Sequence, residues 1–441
     1  MPVPEGLKNS LNAIREISSE IYHRYIPIID SNTDISVFST PIMEYKEVQN
    51  EFISGLINRI VYTGFTIKYF RNPLQVLEGD RIPLGSAGQE IYTNPAKGRR
   101  YNGEDFAGLL AKYEADVKVQ YMALNMDTQY PVTINRQTLK QAFVSWGDLE
   151  TFIEQLSNSL YNGAYIDEFN FTKNIISGAY KDNKAVIQTI TAITTADLAK
   201  EFVTKARELF LNFQTPSTQY NSWGKMGGYG RPVKTWTNPE DIVFIVRNDI
   251  RAYLDVNVLA NAFNIDKTSL LGNIITVDNF DVYDDDGQKV YDGSKIVGMI
   301  ADKSWFRIKR QDMFLDTFYN PNNRTWQYYL NLIKMYNFSL FANGVIFATE
   351  APTVAITDLD FVEANPKVEI GKTLLLHLKA TPFQGTTSVT FNSGTTATAT
   401  VEKVDDRTVK VTGVNNGTSV ITATAGSVTT TVTVTVPQTT A

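Results

Sequence analysis

Cysteine is absent from this sequence of 441 residues, and histidine occurs only at His23 and His377. Without thiols the chain can form neither disulfide bonds nor cysteine metal sites. One histidine lies in a predicted N-terminal helix and the other in a predicted C-terminal β-domain, so we expect no catalytic or metal site that combines them. We therefore predict no catalytic residue, no metal ligand and no cofactor.

Long apolar runs and a strong excess of charge are also missing. No apolar run reaches the length of about 18 residues that a membrane-spanning helix requires, and the N-terminal residues lack the order of a secretory signal. Acidic residues number 47 and basic residues 41, for a net charge of -6, so nothing attracts the whole chain to nucleic acid or to an anionic membrane. We expect a chain that stays in the cytoplasm after synthesis, with no membrane partner and no sequence-specific contact with DNA.

The longest predicted helix extends from Ala142 to Tyr180. Its apolar residues recur at steps of one, three and four, with a polar break at Asp167 and Glu168. Ser145 and Asp148 have the spacing of a capping box at its start. The pattern alone is typical of a core helix in an α+β domain. The apolar positions are Leu149, Phe152, Ile153, Leu156, Leu160, Ala164, Phe171, Ile175 and Ala179.

Three segments carry a family resemblance: IPLGSAGQEIYT from Ile82, TLKQAFVSWGDLETF from Thr138, and LDVNVLANAFNIDKTSLLGNIITVDNF from Leu254. Together they resemble the major capsid protein of the phi-twenty-nine-like small tailed bacteriophages, in the same order over roughly residues 52–348. The resemblance implies the tailed-phage (HK-ninety-seven-like) capsid shell fold, an α+β fold in which a spine helix crosses a peripheral domain.

That fold implies a division of the chain into a shell domain, residues 1–351, and a second domain. The predicted parts are an N-arm (1–60), an extended loop (66–119), a peripheral domain with the spine helix (120–185 and 310–350), an axial lobe (186–309), an immunoglobulin-like domain (352–437) and a tail (438–441).

The N-arm contains an apolar stripe at helical spacing, followed by a polar segment after Pro27. The stripe is formed by Leu7, Leu11, Ile14, Ile17, Ile21 and Tyr25. The pattern predicts an amphipathic helix on a tether. Such a helix either packs on its own domain or lies on a neighbouring subunit, and the resemblance favours the neighbour. A further helix is predicted near residues 48–61.

The extended loop is predicted to leave through residues 66–70 and return through residues 115–121. Its tip carries three cations, Lys97, Arg99 and Arg100, which form either a solvated cluster or a contact with carboxylates of the next subunit. Some phages of the wider fold join subunits through a lysine in this loop. The family resembled here is not expected to do so, and we assign Lys97 no catalytic role.

The axial lobe is predicted to alternate helices and strands. Thr194 or Thr195 begins a helix, residues 241–246 and 274–277 are strands, and a helix runs from residue 255 to 263. The glycine-rich segment YNSWGKMGGYGRPVKTW lacks the order of a phosphate-binding loop, and we interpret it as a mobile loop near a symmetry axis. Asp284 and the next three residues predict a turn and not a calcium loop.

A long strand is predicted from Trp326 onward, because alternate residues are apolar until Lys334 interrupts the pattern. Beyond Ala351 there is no tryptophan or tyrosine, and short threonine- and valine-rich runs alternate with glycines. This C-terminal part predicts a small β-sandwich and resembles a bacterial immunoglobulin-like group 2 domain.

The resemblance implies a structural protein whose copies assemble as pentamers and hexamers into an icosahedral or prolate head shell around phage dsDNA. It also implies a scaffolding protein and a portal as partners. We expect the immunoglobulin-like domain to be displayed outward, where it is a candidate to hold head fibres. An alternative is a surface adhesin that binds through this domain. An enzyme that uses carboxylate pairs is a third possibility, because acidic residues are plentiful.

Overall fold

The computed structural model describes residues 3–60, 70–83, 88–100, 111–227, 231–253, 274–284 and 287–438. The predicted helix from residue 255, and the extended-loop residues 66–69, 84–87 and 101–110, lie outside these ranges. The α-helices are α1 (Glu5–Ile17), α2 (Glu20–Tyr25), α3 (Ile35–Glu44), α4 (Lys46–Ile60), α5 (Arg136–Ala142), α6 (Trp146–Lys181), α7 (Ala196–Phe213) and α8 (Asn248–Tyr253).

The strands form small sheets along the chain. They are β1 (Gly88–Thr93), β2 (Val117–Met122), β3 (Met126–Asn135), β4 (Val186–Thr189), β5 (Ile242–Arg247), β6 (Ile274–Val277), β7 (Val282–Tyr283), β8 (Lys289–Tyr291), β9 (Ile296–Asp302), β10 (Phe306–Asn320), β11 (Thr325–Phe338), β12 (Gly344–Ala348), β13 (Asp358–Phe361), β14 (Thr373–Thr381), β15 (Val389–Ser393), β16 (Ala399–Lys403), β17 (Thr408–Gly413), β18 (Gly417–Ala425) and β19 (Val428–Val436).

The described residues form two compact units. The first comprises Met1–Gln89, Tyr121–Thr172 and Arg307–Asn337, and the second comprises Glu90–Gln120, Lys173–Phe306 and Phe338–Ala441. Among the described residues, no helix is both long and apolar enough to cross a membrane.

Helices α1–α4 open the first unit. The predicted single N-terminal helix is wrong in extent: α1 ends at Ile17, with Ser18 as its C-cap, and Ser19 caps α2 by accepting a hydrogen bond from the Tyr22 amide at 3.4 Å. The segment after it is also not a polar tether, because Asp34 caps α3 through the Ser36 amide at 2.8 Å. Helix α4 agrees with the helix predicted at residues 48–61.

Strands β10, β11 and β3 form the sheet of the first unit, in that order. β11 and β3 are antiparallel, with Leu330 opposite Tyr130. The predicted long strand from Trp326 is therefore confirmed. Helix α6 lies close to Tyr130, since a Cβ atom placed on Gly163 would be 3.6 Å from the tyrosine ring.

The predicted spine helix is confirmed as α6, which is 36 residues long. Its start is capped as the sequence predicts. The Ser145 hydroxyl donates to Asp148 Oδ2 at 2.7 Å, and Ser145 Oγ accepts a hydrogen bond from the Asp148 amide at 3.1 Å.

The second unit contains a five-stranded mixed sheet in the order β4-β12-β9-β5-β6. β12 is buried along its whole length, and helix α7 packs on the sheet through Phe202, whose ring lies 5.0 Å from that of Phe347. The predicted cap of α7 is confirmed, because Thr195 Oγ1 accepts from the Leu198 amide at 3.4 Å.

The C-terminal residues form the predicted β-sandwich. One sheet has the order β13-β14-β17-β16 and the other β15-β18-β19. Alternate residues point inward, so that Leu376, Val411 and Ile421 are fully buried, while most of the threonines between such positions are at least partly exposed.

We predict that Gly298→Ala destabilises the protein. Gly298 lies in β9 between β5 and β12, and a Cβ atom there would be 2.5 Å from the carbonyl oxygen of Ile245. Relief of this clash requires the backbone of a central strand to move, at a cost of about 1–3 kcal/mol. Thermal unfolding followed by circular dichroism measures the loss.

The matched variant is Gly178→Ala in α6, where a Cβ atom has nothing within 4 Å. Alanine at this helical position should raise stability by about 0.5–1 kcal/mol. A Gly298→Ala protein as stable as the unmodified chain would show that the sheet is looser than described.

Candidate assembly elements and the buried ion cluster

A group of charged side chains, of which Lys334 and Glu168 are buried, lies inside the first unit. The Lys334 ammonium lies 2.5 Å from Glu168 Oε1 and 3.0 Å from Glu78 Oε2. Glu78 also pairs with Arg310, whose Nε is 3.4 Å from Oε1. We call these four residues, Lys334, Glu168, Glu78 and Arg310, the ion cluster. It contains two positive and two negative side chains and is therefore neutral.

The ion cluster joins four segments of the first unit. Lys334 is on β11, Glu168 on α6 and Arg310 on β10, while Glu78 follows the 3-10 turn Pro73–Leu77 and forms a bridge with Ile308. The side chains of Lys334 and Glu168 are only 1% and 5% exposed. The sequence marked both positions as interruptions of apolar patterns, but it did not indicate that the two interruptions meet.

Two tyrosines, Tyr336 and Tyr130, lie near the carboxylates of the ion cluster. Burial, followed by the negative charges of Glu168 and Glu78, raises the pKa of Tyr336. The Tyr130 hydroxyl donates to Asp167 Oδ2 at 2.9 Å, and burial together with that carboxylate raises the pKa of Tyr130. Both phenols therefore stay protonated, so the cluster carries no further negative charge from them.

The predicted loop tip is exposed. Lys97 and Arg100 form no ion pair or hydrogen bond with the described residues, whereas Arg99 donates to the Tyr113 hydroxyl at 2.8 Å and lies 5.4 Å from that ring. The returning end of the extended loop is confirmed as β2, which forms a two-stranded ribbon with β1. Phe70, at the predicted outgoing end, is not in a strand.

Asn94, directly after β1, is held by hydrogen bonds within the second unit. It is 6% exposed, and its side-chain amide donates to Asp116 Oδ2 at 2.7 Å and to the Pro232 carbonyl at 3.1 Å. Its Oδ1 accepts from the Lys234 amide at 2.9 Å. Hydrogen bonds from Lys118 and Asn94 lower the pKa of Asp116, so this carboxylate is ionised near neutral pH.

The four apolar candidates of the N-terminal stripe differ in burial. Leu7, Leu11 and Ile14 are buried inside the chain, and a Cβ atom on Gly55 of α4 would be 2.7 Å from Ile14. These three side chains therefore pack against the chain's own first unit. A contact with a neighbouring subunit through them would require α1 to leave this position. Ile17 is 63% exposed and can contact a neighbouring subunit without any movement of α1.

The described part of the glycine-rich segment is packed, contrary to the interpretation as a mobile loop. Asn221 and Ser222 are buried, and the Trp223 ring lies 5.4 Å from that of Phe341. The Asp284 turn is confirmed, since the Gly287 amide donates to the Asp284 carbonyl at 3.0 Å. Within the described ranges no cluster of His, Asp and Glu is arranged to hold a metal ion.

We predict that Lys334→Met destabilises the first unit by about 3–5 kcal/mol, because Glu168 loses its counter-charge in a buried position. Adding Glu168→Gln to this variant should recover much of the loss, since the remaining Glu78–Arg310 pair is neutral. Urea unfolding of the single and double variants measures both effects.

Lys140→Met is the matched control, because Lys140 is an exposed lysine of α5 without an ion pair in the described chain, and its change should be within about 0.5 kcal/mol. If the double variant is no more stable than Lys334→Met, the charge balance is not what holds these segments together.

Comparison with known proteins agrees with this architecture. Residues 11–348 match the family described as Phi29-like phage major capsid protein, and residues 355–436 match the bacterial Ig-like domain (group 2). The chain is 29% identical to the major capsid protein of Bacillus phage B103, over 91% of this chain and 89% of that protein. It is 30% identical to the major capsid protein of Bacillus phage PZA, over 78% and 73%.

A solved structure supports the fold. The capsid structure of Staphylococcus phage Andhra aligns with a TM-score of 0.51 and 15% identity, over 66% of this chain and 87% of that chain. The fold is thus the tailed-phage capsid fold, followed by an immunoglobulin-like sandwich. The chain belongs to the Phi29-like phage major capsid protein family and carries a bacterial Ig-like group 2 domain after the shell fold.

Proposed function

We propose that copies of this chain assemble as pentamers and hexamers into the closed head shell of a tailed phage and enclose its dsDNA. Family membership over residues 11–348 is the observation that carries the proposal. In such a shell each subunit contacts its neighbours through different surfaces on its two sides, and the contacts close because the rotation between subunits closes.

The β1-β2 ribbon supports an assembly role. Ile91, Val117 and Val119 are 61%, 49% and 36% exposed, and Tyr113 beside the ribbon is 68% exposed. A two-stranded sheet depends on packing against other surfaces for its stability in water. A second surface that covers these apolar side chains would stabilise the ribbon, and a neighbouring copy of the chain supplies such a surface in a shell.

The ion cluster and the ribbon have different roles in this proposal. The ion cluster holds α6 and the β10-β11-β3 sheet in one arrangement, so the first unit moves as a rigid body during assembly. Contacts between subunits are made by the ribbon, by Lys97 and Arg100 in the loop after β1, and by the exposed Ile17. We call these contact elements the joints. Small movements of the joints accommodate five-fold and six-fold surroundings.

The proposed partners follow from the same function. A scaffolding protein would guide assembly in the host cytoplasm, a portal would admit the DNA, and head fibres would attach outside. The net charge of -6 supports enclosure of DNA without tight binding. The immunoglobulin-like domain would project from the outer surface of the virion.

Electron microscopy of the chain co-expressed with its neighbouring reading frames tests this function. We expect closed shells, or rings of five and six subunits, in the fast-sedimenting fraction. A protein that stays monomeric in all co-expression conditions would contradict the proposal and favour the adhesin.

The double variant Lys97→Glu/Arg100→Glu should reduce the yield of shells, because reversed charges at the tip repel the carboxylates they are proposed to meet. Sedimentation separates shells from free subunits and gives the yield. Lys372→Glu, an exposed substitution in the sandwich, is the control and should leave the yield unchanged. If the unmodified chain, the double variant and the control give equal yields of shells, Lys97 and Arg100 do not take part in the interface.

A chain that ends at Ala351 should still form shells, because an outward domain is not needed to close them. The same sedimentation assay applies, with electron microscopy to compare shell size. Failure of this truncated chain to assemble, while it remains folded by circular dichroism, would place the sandwich within the shell contacts.

A further inference from the structure

A cavity of about 530 Å³ lies in the second unit, between the lobe and the β-sandwich. One wall comes from Asn183 and the segment 218–225, and the other from the loops 383–385 and 406–407. Its volume is in the range of small-molecule sites. Nothing in the shell function described above requires such a cavity.

A chain of hydrogen bonds forms the wall of this cavity. The Lys225 ammonium donates to Asn183 Oδ1 at 3.1 Å, and the Asn183 amide donates to the Gln384 carbonyl at 2.9 Å. From the other side, the Arg407 guanidinium donates to the Gly385 carbonyl at 2.9 Å. Asn183 adopts the left-handed conformation, with a φ of 53°, which asparagine tolerates well at helix ends. Lys225, through Asn183, and Arg407, directly, are thus both hydrogen-bonded to carbonyls of the 383–385 loop.

Neither cation forms an ion pair with the described residues, although the carboxylates of Asp405 and Asp406 lie near Arg407. Lys225 and Arg407 are half-buried and donate only to neutral oxygens, and neither has a carboxylate within ion-pair distance among the described residues. Burial lowers the pKa of Lys225. Burial also lowers the pKa of Arg407, although Asp406 and Asp405 act in the opposite direction.

The carboxylate on the cavity wall is already paired. Asp406 Oδ1 lies 2.6 Å from the Lys403 ammonium and accepts the Val389 amide at 2.9 Å. Gln219 and Gln384 also line this cavity, and their side-chain amides form no hydrogen bond within the described parts of the chain. The cavity therefore combines two cations that have no ion-pair partner in the described chain with amide side chains that form no hydrogen bond there.

We propose that this cavity binds the phosphate group of a small phosphorylated ligand between Lys225 and Arg407. A phosphomonoester carries a charge of about -1.5 to -2 at neutral pH, which matches two cations, and its oxygens accept several charge-assisted hydrogen bonds. The remaining volume accommodates the body to which the phosphate is attached. Binding at this site does not depend on shell assembly.

The probes are inorganic phosphate and glycerol phosphate, measured by isothermal titration calorimetry on the full chain. We expect at least one of them to bind, and Lys225→Met or Arg407→Met to weaken that binding about tenfold or more. Lys372→Met, which removes an exposed lysine elsewhere in the sandwich, should bind like the unmodified chain. Arg407→Lys keeps the charge and should retain most of the affinity.

Phosphorus-31 line broadening with the unmodified chain provides a second readout that needs no variant, in case a substitution prevents folding. The proposal is wrong if neither phosphate binds at millimolar concentration. It is also wrong if both methionine variants bind as tightly as the unmodified chain, or if a dicarboxylate such as malonate binds and the phosphates do not.

Discussion

The buried ammonium group of Lys334 is the interaction on which the rest of the first unit depends. A charged side chain that is 1% exposed is tolerated only where nearby charges and hydrogen bonds compensate for its lost hydration. Glu168 from α6 and Glu78 from the segment before β1 provide this compensation, and Arg310 balances the second carboxylate. Because a displaced partner would leave an unpaired charge in the interior, the spine helix and the sheet are restricted to one arrangement.

Rigidity of this kind suits a subunit that is repeated many times. In the proposed shell, an error in the angle between helix and sheet would recur in every copy and prevent closure, whereas variation in the joints can be absorbed locally. The polar ion cluster inside the unit and the apolar, exposed ribbon therefore serve opposite needs. Ile91 and Val117 are exposed in the single chain. A surface that a neighbouring subunit covers in the proposed shell would be exposed in the same way.

The sequence predicted the elements with strong local signals. The Ser145–Asp148 capping box, the alternation after Trp326 and the threonine-rich C-terminal strands were all confirmed. It did not predict contacts between distant residues: Lys334 and Glu168 each interrupt an apolar pattern, but periodicity carries no information on which interruptions meet. The break at Ser18 and Ser19 was missed because the apolar stripe from Leu7 to Tyr25 continues across it. Extended backbone at Ser18 ends α1, and the Ser19 hydroxyl caps α2.

The central claim is that a first unit held rigid by the ion cluster contacts neighbouring subunits through the ribbon. Hydrogen exchange measured by mass spectrometry on free subunits and on assembled shells tests this claim most directly. The account predicts that amides of residues 88–100 and 111–122 exchange more slowly after assembly. Amides of β11 around Lys334 and of α6 around Glu168 should be equally protected in both states. If the ribbon exchanges alike in both states, or if protection around Lys334 appears only in the shell, the account is contradicted.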